Sequence, residues 1–226
     1  DLVFPHHENE IAQSEAGNGC AYSRFWMHNG MLTMTSGKKM GKSLGNVFNI
    51  HVALERYPGE ALRLYYLQNQ YRSPLPWNED ALPDALGMLS RLYEAREKAE
   101  AMQGSEDAER VVKDLGEDAE RVWTLGRAFY TAADQDFNTA QGLGYLFELA
   151  RAVNRFANHK KALKRGGPVV APALAAFALV REAFGLLQLT SDGFHDEAKH
   201  KRLGAMGLGR DEVEAQIRAR AEARSA

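Results

Sequence analysis

The segment Lys38-Lys39-Met40-Gly41-Lys42-Ser43-Leu44-Gly45-Asn46 constrains this chain more than any other. Three lysines and a serine fall within positions 38 to 43, with glycine and asparagine following. Such a segment cannot be a packed strand or helix, because each ammonium group would need a buried partner. It reads as a surface loop whose ammonium groups, hydroxyl and backbone N–H groups converge on one polyanion. Triphosphate suits it, since lysine acts on phosphate as a point charge. The bland counterpart is a solvated basic turn. The order of residues and their flanks decide between the two.

The 226 residues suffice for one large or two small domains with a real core. A net charge of −2 gives no global pull toward nucleic acid, so any RNA contact must be local. The single cysteine, Cys20, excludes an internal disulfide framework and suits a reducing compartment. No apolar run approaches the ~20 residues that cross a bilayer, and no signal peptide opens the chain. The expectation is a cytoplasmic protein without a membrane partner.

In the first part, Leu2-Val3-Phe4 is predicted to end a buried parallel strand and Pro5 to open a helix. Ile11, Ala12 and Ala16 continue that helix until Gly17-Asn18-Gly19 stops it. A strand is expected within residues 25–34. Together with the lysine loop, these elements describe part of an α/β sheet with its ligand at the strand carboxyl ends. A helix is predicted from Pro58, with Leu62, Tyr65 and Tyr66 on one face. Ser73-Pro74-Leu75-Pro76-Trp77-Asn78 breaks it.

From about residue 80 the pattern is helical. Leu82, Ala85, Leu86, Leu89, Leu92 and Tyr93 form one stripe. Val122, Leu125, Ala128, Phe129 and Ala132 form a second. Leu143, Leu146, Phe147, Leu149, Ala150 and Val153 form a third, and Leu174, Phe177, Leu179, Val180 and Phe184 a fourth. Breaks at Gly104-Ser105, Phe137-Asn138 and Gly166-Gly167-Pro168 make four amphipathic helices, a bundle. The last 30 residues are charged, with a final helix from Glu212.

Lys39-Met40-Gly41-Lys42-Ser43 resembles the Lys-Met-Ser-Lys-Ser signature of class I aminoacyl-tRNA synthetases, with Gly41 in place of the central serine. The run from Asp1 to Glu15, containing Pro5-His6-His7-Glu8-Asn9-Glu10, resembles the cysteinyl-tRNA synthetase family. So do Phe25-Trp26-Met27-His28-Asn29-Gly30, Gln70-Tyr71-Arg72-Ser73-Pro74-Leu75 and Asp136-Phe137-Asn138-Thr139-Ala140. The resemblance implies an α/β fragment, the end of a Rossmann-like catalytic domain, followed by a mainly α-helical bundle; the chain is predominantly α. Residues 1–48 are then the C-terminal part of the nucleotide-binding domain and 49–80 a connecting stem-contact segment. Residues 81–190 are the tRNA-binding bundle, and 191–226 begin an anticodon-region segment. The family's His-Ile-Gly-His motif and two zinc-binding cysteines have no counterpart here, so the resemblance is to a C-terminal fragment of a longer enzyme.

His6 and Glu10 lie four apart, on one face of a helix starting at Pro5. One imidazole and one carboxylate so spaced can bind one Zn²⁺, although such pairs are also common helix-surface neighbours. The resemblance makes them the third and fourth zinc ligands. It implies that zinc takes the cysteine thiolate and thereby rejects serine. His7 and Glu8 are second partners to the zinc or face solvent, with solvent favoured. Lys39 and Lys42 match the signature lysines, implying roles in catalysis. Lys42 and Ser43 match ATP contacts, with Mg²⁺ accompanying the nucleotide. Lys38 is expected to be a solvated neighbour, and Asp1 matches an aspartate beside the adenosine pocket. Trp26 and Trp77 read as core or interface. Arg155, Lys160, Lys161, Lys164 and Arg165 form a basic run that is either a solvated helix end or a tRNA contact.

The resemblance implies a monomeric enzyme that activates L-cysteine with ATP and transfers it to tRNA(Cys). An amino-sugar cysteine ligase of mycothiol biosynthesis and a stand-alone tRNA-binding module remain as alternatives.

Overall fold

The computed structural model describes residues 2–35, 40–41, 49–133 and 135–225. The chain divides into two compact units, one comprising residues 1–47 and 69–78 and the other residues 48–68 and 79–226.

In the first unit a π-helical turn, Val3–His7, runs into helix α1, Glu8–Asn18. The strand expected at Leu2-Val3-Phe4 is not formed. All three residues are exposed and Phe4 alone has extended backbone angles, so the apolar run has nothing to pack against. Helix α1 stops where expected, with Gly19 in the left-handed region as its C-cap. Strand β1, Leu32–Met34, pairs in parallel with β2, Leu75–Trp77, Leu32 lying opposite Leu75. Thus the proline-flanked segment read as a break carries a strand. Pro76 cannot donate to a ladder, but an edge position tolerates it. Gly30 makes the pairing possible. Its N–H donates to the Tyr71 carbonyl at 2.7 Å, and a Cβ there would lie 2.1 Å from the Ser73 carbonyl oxygen.

The second unit is helical. Helices α2, Ile50–Arg56, and α3, Gly59–Leu67, precede α4, Ala81–Glu100, and α5, Ala108–Leu115. Then follow α6, Glu117–Ala133, α7, Thr139–Phe156, the short α8, Ala162–Arg165, and α9, Gly167–Phe184. Helices α10, Ser191–Ala205, and α11, Arg210–Ser225, complete it. The four predicted stripes sit on α4, α6, α7 and α9, and α6 packs on both α7 and α9 while α4 packs on α7 and α3. Leu82, Leu89, Leu92, Tyr93, Phe129, Leu146, Leu149 and Phe177 form the core. Tyr66 points away from the face predicted for it, 42% exposed.

Gly126 of α6 meets α9 so closely that a Cβ would lie 2.8 Å from the Pro172 Cβ and 2.9 Å from the Ala173 nitrogen. Helix α9 is, by length and composition, apolar enough to cross a bilayer, contrary to the expectation that no segment qualifies. Its residues Val169, Val170, Ala173, Ala176, Phe177 and Val180 are buried in the unit, which makes it a core helix. The breaks behave as read. Asn138 caps α7 by accepting from the Gln141 N–H at 3.1 Å.

Candidate functional site

His6 lies in the π-helical turn and Glu10 in the first turn of α1, and both are exposed. His7 is half-buried, which corrects the expectation that it faces solvent. Its ring stacks on His28, centroids 5.0 Å apart, and lies 5.6 Å from Trp26. Trp26 and His28 are nearly parallel at 6.1 Å, and Tyr22 tilts against Trp26 at 5.6 Å. Trp26 is 38% exposed, so it belongs to this surface cluster, whereas Trp77 is buried as expected. His7 Nδ1 and His28 Nε2 are enclosed without a hydrogen-bond partner. Sequence reasoning missed His28. The available signal was the two-residue spacing of Trp26 and His28, which puts both rings on one side of an extended chain.

Among the described residues, no group of three or more His, Cys, Asp or Glu could hold a metal ion. His6 and Glu10 are exposed donors of the right type one turn apart and fit as part of a shell. They do not make a four-ligand zinc site by themselves. Cys20 is exposed.

Lys38, Lys39, Lys42, Ser43 and Asp1 lie outside the described residues, while Met40 and Gly41 are half-buried.

The basic run separates into two kinds of residue. Arg165 donates to both Glu106 oxygens, at 2.6 and 2.8 Å, and to Asp114 Oδ2 at 2.8 Å. These hydrogen bonds hold the Glu106 and Asp114 carboxyls below the ordinary range, and they raise Arg165. Arg165 is therefore a clamp between α8, α5 and the segment preceding α5. Arg155 lies 3.8 Å from Asp118. Lys160, Lys161 and Lys164 are exposed.

Two family models match parts of the chain. Residues 1–87 match the tRNA synthetases class I (C) catalytic domain, and residues 128–188 match the DALR domain. The chain is 42% identical over 229 residues to a protein named cysteine--tRNA ligase from Geobacter sulfurreducens, covering 100% of this chain and 46% of that relative. A relative of the same name from Thermococcus onnurineus is 42% identical over 205 residues, covering 90% of this chain and 41% of the relative. One from Pseudomonas paraeruginosa is 39% identical over 226 residues, covering 100% and 43%. The chain thus spans less than half the length of the curated relatives it matches. Among solved structures, the ternary complex of agnB2 LeuRS, tRNA and LeuAMS from Agrobacterium radiobacter K84 matches with a TM-score of 0.59 at 18% identity. That match covers 87% of this chain and 26% of the LeuRS chain, a likeness of fold. By sequence along its whole length, the chain is a homologue of the C-terminal part of the cysteine--tRNA ligases, class I aminoacyl-tRNA synthetases.

Proposed function

We propose that the chain is the part of a cysteine--tRNA ligase that carries the lysine signature and the tRNA-facing helices. The observation that carries this reading is 42% identity to the Geobacter sulfurreducens relative over the full chain. The amino-sugar ligase and the stand-alone binding module are not favoured.

In this reading Lys39 and Lys42 close over ATP·Mg²⁺ as the cysteine carboxylate attacks the α-phosphorus. The carboxylate–phosphorus bond forms as the α–β phosphoanhydride bond breaks, and the two ammonium groups stabilise the charge on the departing pyrophosphate. Ser43 contacts the nucleotide. No general base is needed, because the cysteine carboxylate is already ionised. His6 and Glu10 are the residues of this chain that would hold zinc. Bound zinc supplies a soft acceptor for the substrate thiolate, which a hydroxyl satisfies poorly. The cysteinyl group then passes from the adenylate to a 3′-terminal ribose hydroxyl of tRNA(Cys), the ester forming as the acyl–phosphate bond breaks and AMP leaves; the tRNA is bound along residues 81–190, with Lys160, Lys161 and Lys164 available to phosphates. Residues 49–80 are the stem-contact connection and 191–226 the start of an anticodon-region segment. The working form is a cytoplasmic monomer.

The test is a chimeric enzyme in which these 226 residues replace the matched part of the Geobacter sulfurreducens relative. It should support cysteine-dependent ATP–pyrophosphate exchange and charge tRNA(Cys), while the 226-residue chain alone should do neither. A soluble, folded chimera lacking both activities would overturn the reading.

A further inference from the structure

Helix α2, Ile50–Arg56, has only seven residues, and among them only Ala53 is buried. A helix so short is marginal by itself, so its place in the helical unit depends on what holds its two ends. Asn49 caps the N-terminus by accepting from the His51 N–H at 2.9 Å. The C-terminus is held by a helix far along the chain. Lys201 Nζ on α10 donates to the Leu54 carbonyl at 2.6 Å and to the Tyr57 carbonyl at 3.5 Å. Beside it, the Arg202 guanidinium lies over the Tyr57 ring, 4.8 Å from its centroid. Tyr57 is buried and Lys201 half-buried, so the ammonium meets these carbonyls largely out of water. Carbonyls at a helix C-terminus carry partial negative charge and lack helical partners, and a lysine satisfies both needs.

We propose that Lys201 is a positioning residue for the lysine segment, acting through α2. The functional meaning of this hold rests on the function proposed above. Only residues 47–49 separate Asn46 from α2, so the clamp ties down the carboxyl end of the segment that carries Lys42. An ammonium group stabilises a departing pyrophosphate only where the charge develops, and a displacement of about 1 Å can cost ~10²-fold in rate. Lys201 therefore bears on the rate of adenylate formation and leaves the binding of cysteine at His6 and Glu10 alone.

The test uses the chimera described above together with the 226-residue chain. Lys201→Met keeps the length of the side chain and removes its donors, whereas Lys201→Arg keeps the charge. In the chimera, Lys201→Met should lower single-turnover adenylate formation about 10- to 100-fold, with KM for cysteine and for ATP changed less than about threefold. Lys201→Arg should recover most of that loss. Lys199→Met makes the same change of charge on α10, where the lysine pairs with Glu214 of α11 at 3.4 Å. It should cost less than about twofold. In the 226-residue chain, Lys201→Met should speed hydrogen exchange in residues 50–57 and leave α6, α7 and α9 unchanged. Three results each overturn the proposal: an undiminished rate in Lys201→Met, equal losses in Lys201→Met and Lys199→Met, or faster exchange throughout α6, α7 and α9, which would make the change a general loss of stability. An unmutated chimera without activity overturns the synthetase reading and this proposal with it. An active chimera that is indifferent to Lys201→Met overturns this proposal alone.

Discussion

Tyr93 Oη on α4 donates to the Glu60 carboxylate on α3, lying 2.8 Å from one oxygen and 3.0 Å from the other. The same carboxylate accepts from the Leu187 and Gln188 N–H groups at 2.8 and 3.0 Å, and the Leu189 N–H reaches back to Tyr93 Oη at 3.2 Å. Arg96 closes the set by donating to the Leu187 and Leu189 carbonyls at 2.7 and 2.6 Å. Leu187 sits at φ 59, so these bonds hold a residue in the left-handed region where a leucine is unfavourable. One carboxylate thus fixes the turn that leads from α9 into α10.

Glu60→Ala leaves three donors without their acceptor and is expected to cost about 2–4 kcal/mol. Tyr93→Phe removes one hydroxyl and should cost about 1–2 kcal/mol. Urea titrations of the two variants give the order. A larger loss for Tyr93→Phe would show that water, not Glu60, satisfies the turn.

Burial, and then the Glu60 charge, push the Tyr93 phenol well above its ordinary value. Because the unfolded phenol ionises near pH 10 while the folded one stays protonated, the contribution is complete below that pH and lost as pH rises above it. The urea midpoint should therefore fall above about pH 10, and less steeply in Tyr93→Phe. Parallel slopes in the two proteins would remove Tyr93 as the cause.

The Arg165 clamp acts at the other end of the scale. Glu106 and Asp114 titrate below their unfolded values, so their contribution is present above about pH 4–5 and lost as pH falls through the folded values. Arg165→Met should flatten the acid side of the stability profile and leave the alkaline side unchanged. Since the pair is exposed, the effect should also shrink in high salt.

Gly126→Ala gains up to about 1 kcal/mol of helix propensity, but its Cβ meets backbone of α9, and the net effect should be a loss of about 1–3 kcal/mol. Gly144→Ala is the control. Nothing lies within 4 Å of a Cβ at that α7 position, so this change should raise the melting temperature. Equal behaviour of the two would mean that α6 and α9 separate at no cost.

In the chimera, Lys42→Ala should lower single-turnover adenylate formation by two to three decades, roughly 3–4 kcal/mol, with little change in ATP affinity. Lys38→Ala should cost much less. Equal small losses would leave the lysine segment a solvated basic turn.

The sequence by itself determined the helical unit. Stripes such as Leu82–Leu89–Leu92 and Leu143–Leu146–Leu149 repeat at helical spacing and are buried in α4 and α7, because a helix can satisfy its own backbone and needs only one apolar face. The lysine signature and the His6–Glu10 pair were read from residue type and local spacing; Lys38, Lys39, Lys42 and Ser43 lie outside the described residues, and His6 and Glu10 are exposed. Short or polar elements were not. Helix α10 has weak apolar periodicity and is held by Phe194 stacked on Tyr93 at 4.6 Å and by Lys201 donating to the Leu54 carbonyl at 2.6 Å. Strand β2 reads as a proline break until β1 supplies its ladder, and Leu2-Val3-Phe4 reads as a strand although among the described residues no strand pairs with it. His7 and His28 meet across about twenty residues of chain. Contacts of that kind depend on chain distant in sequence, and so only the tertiary structure could decide them.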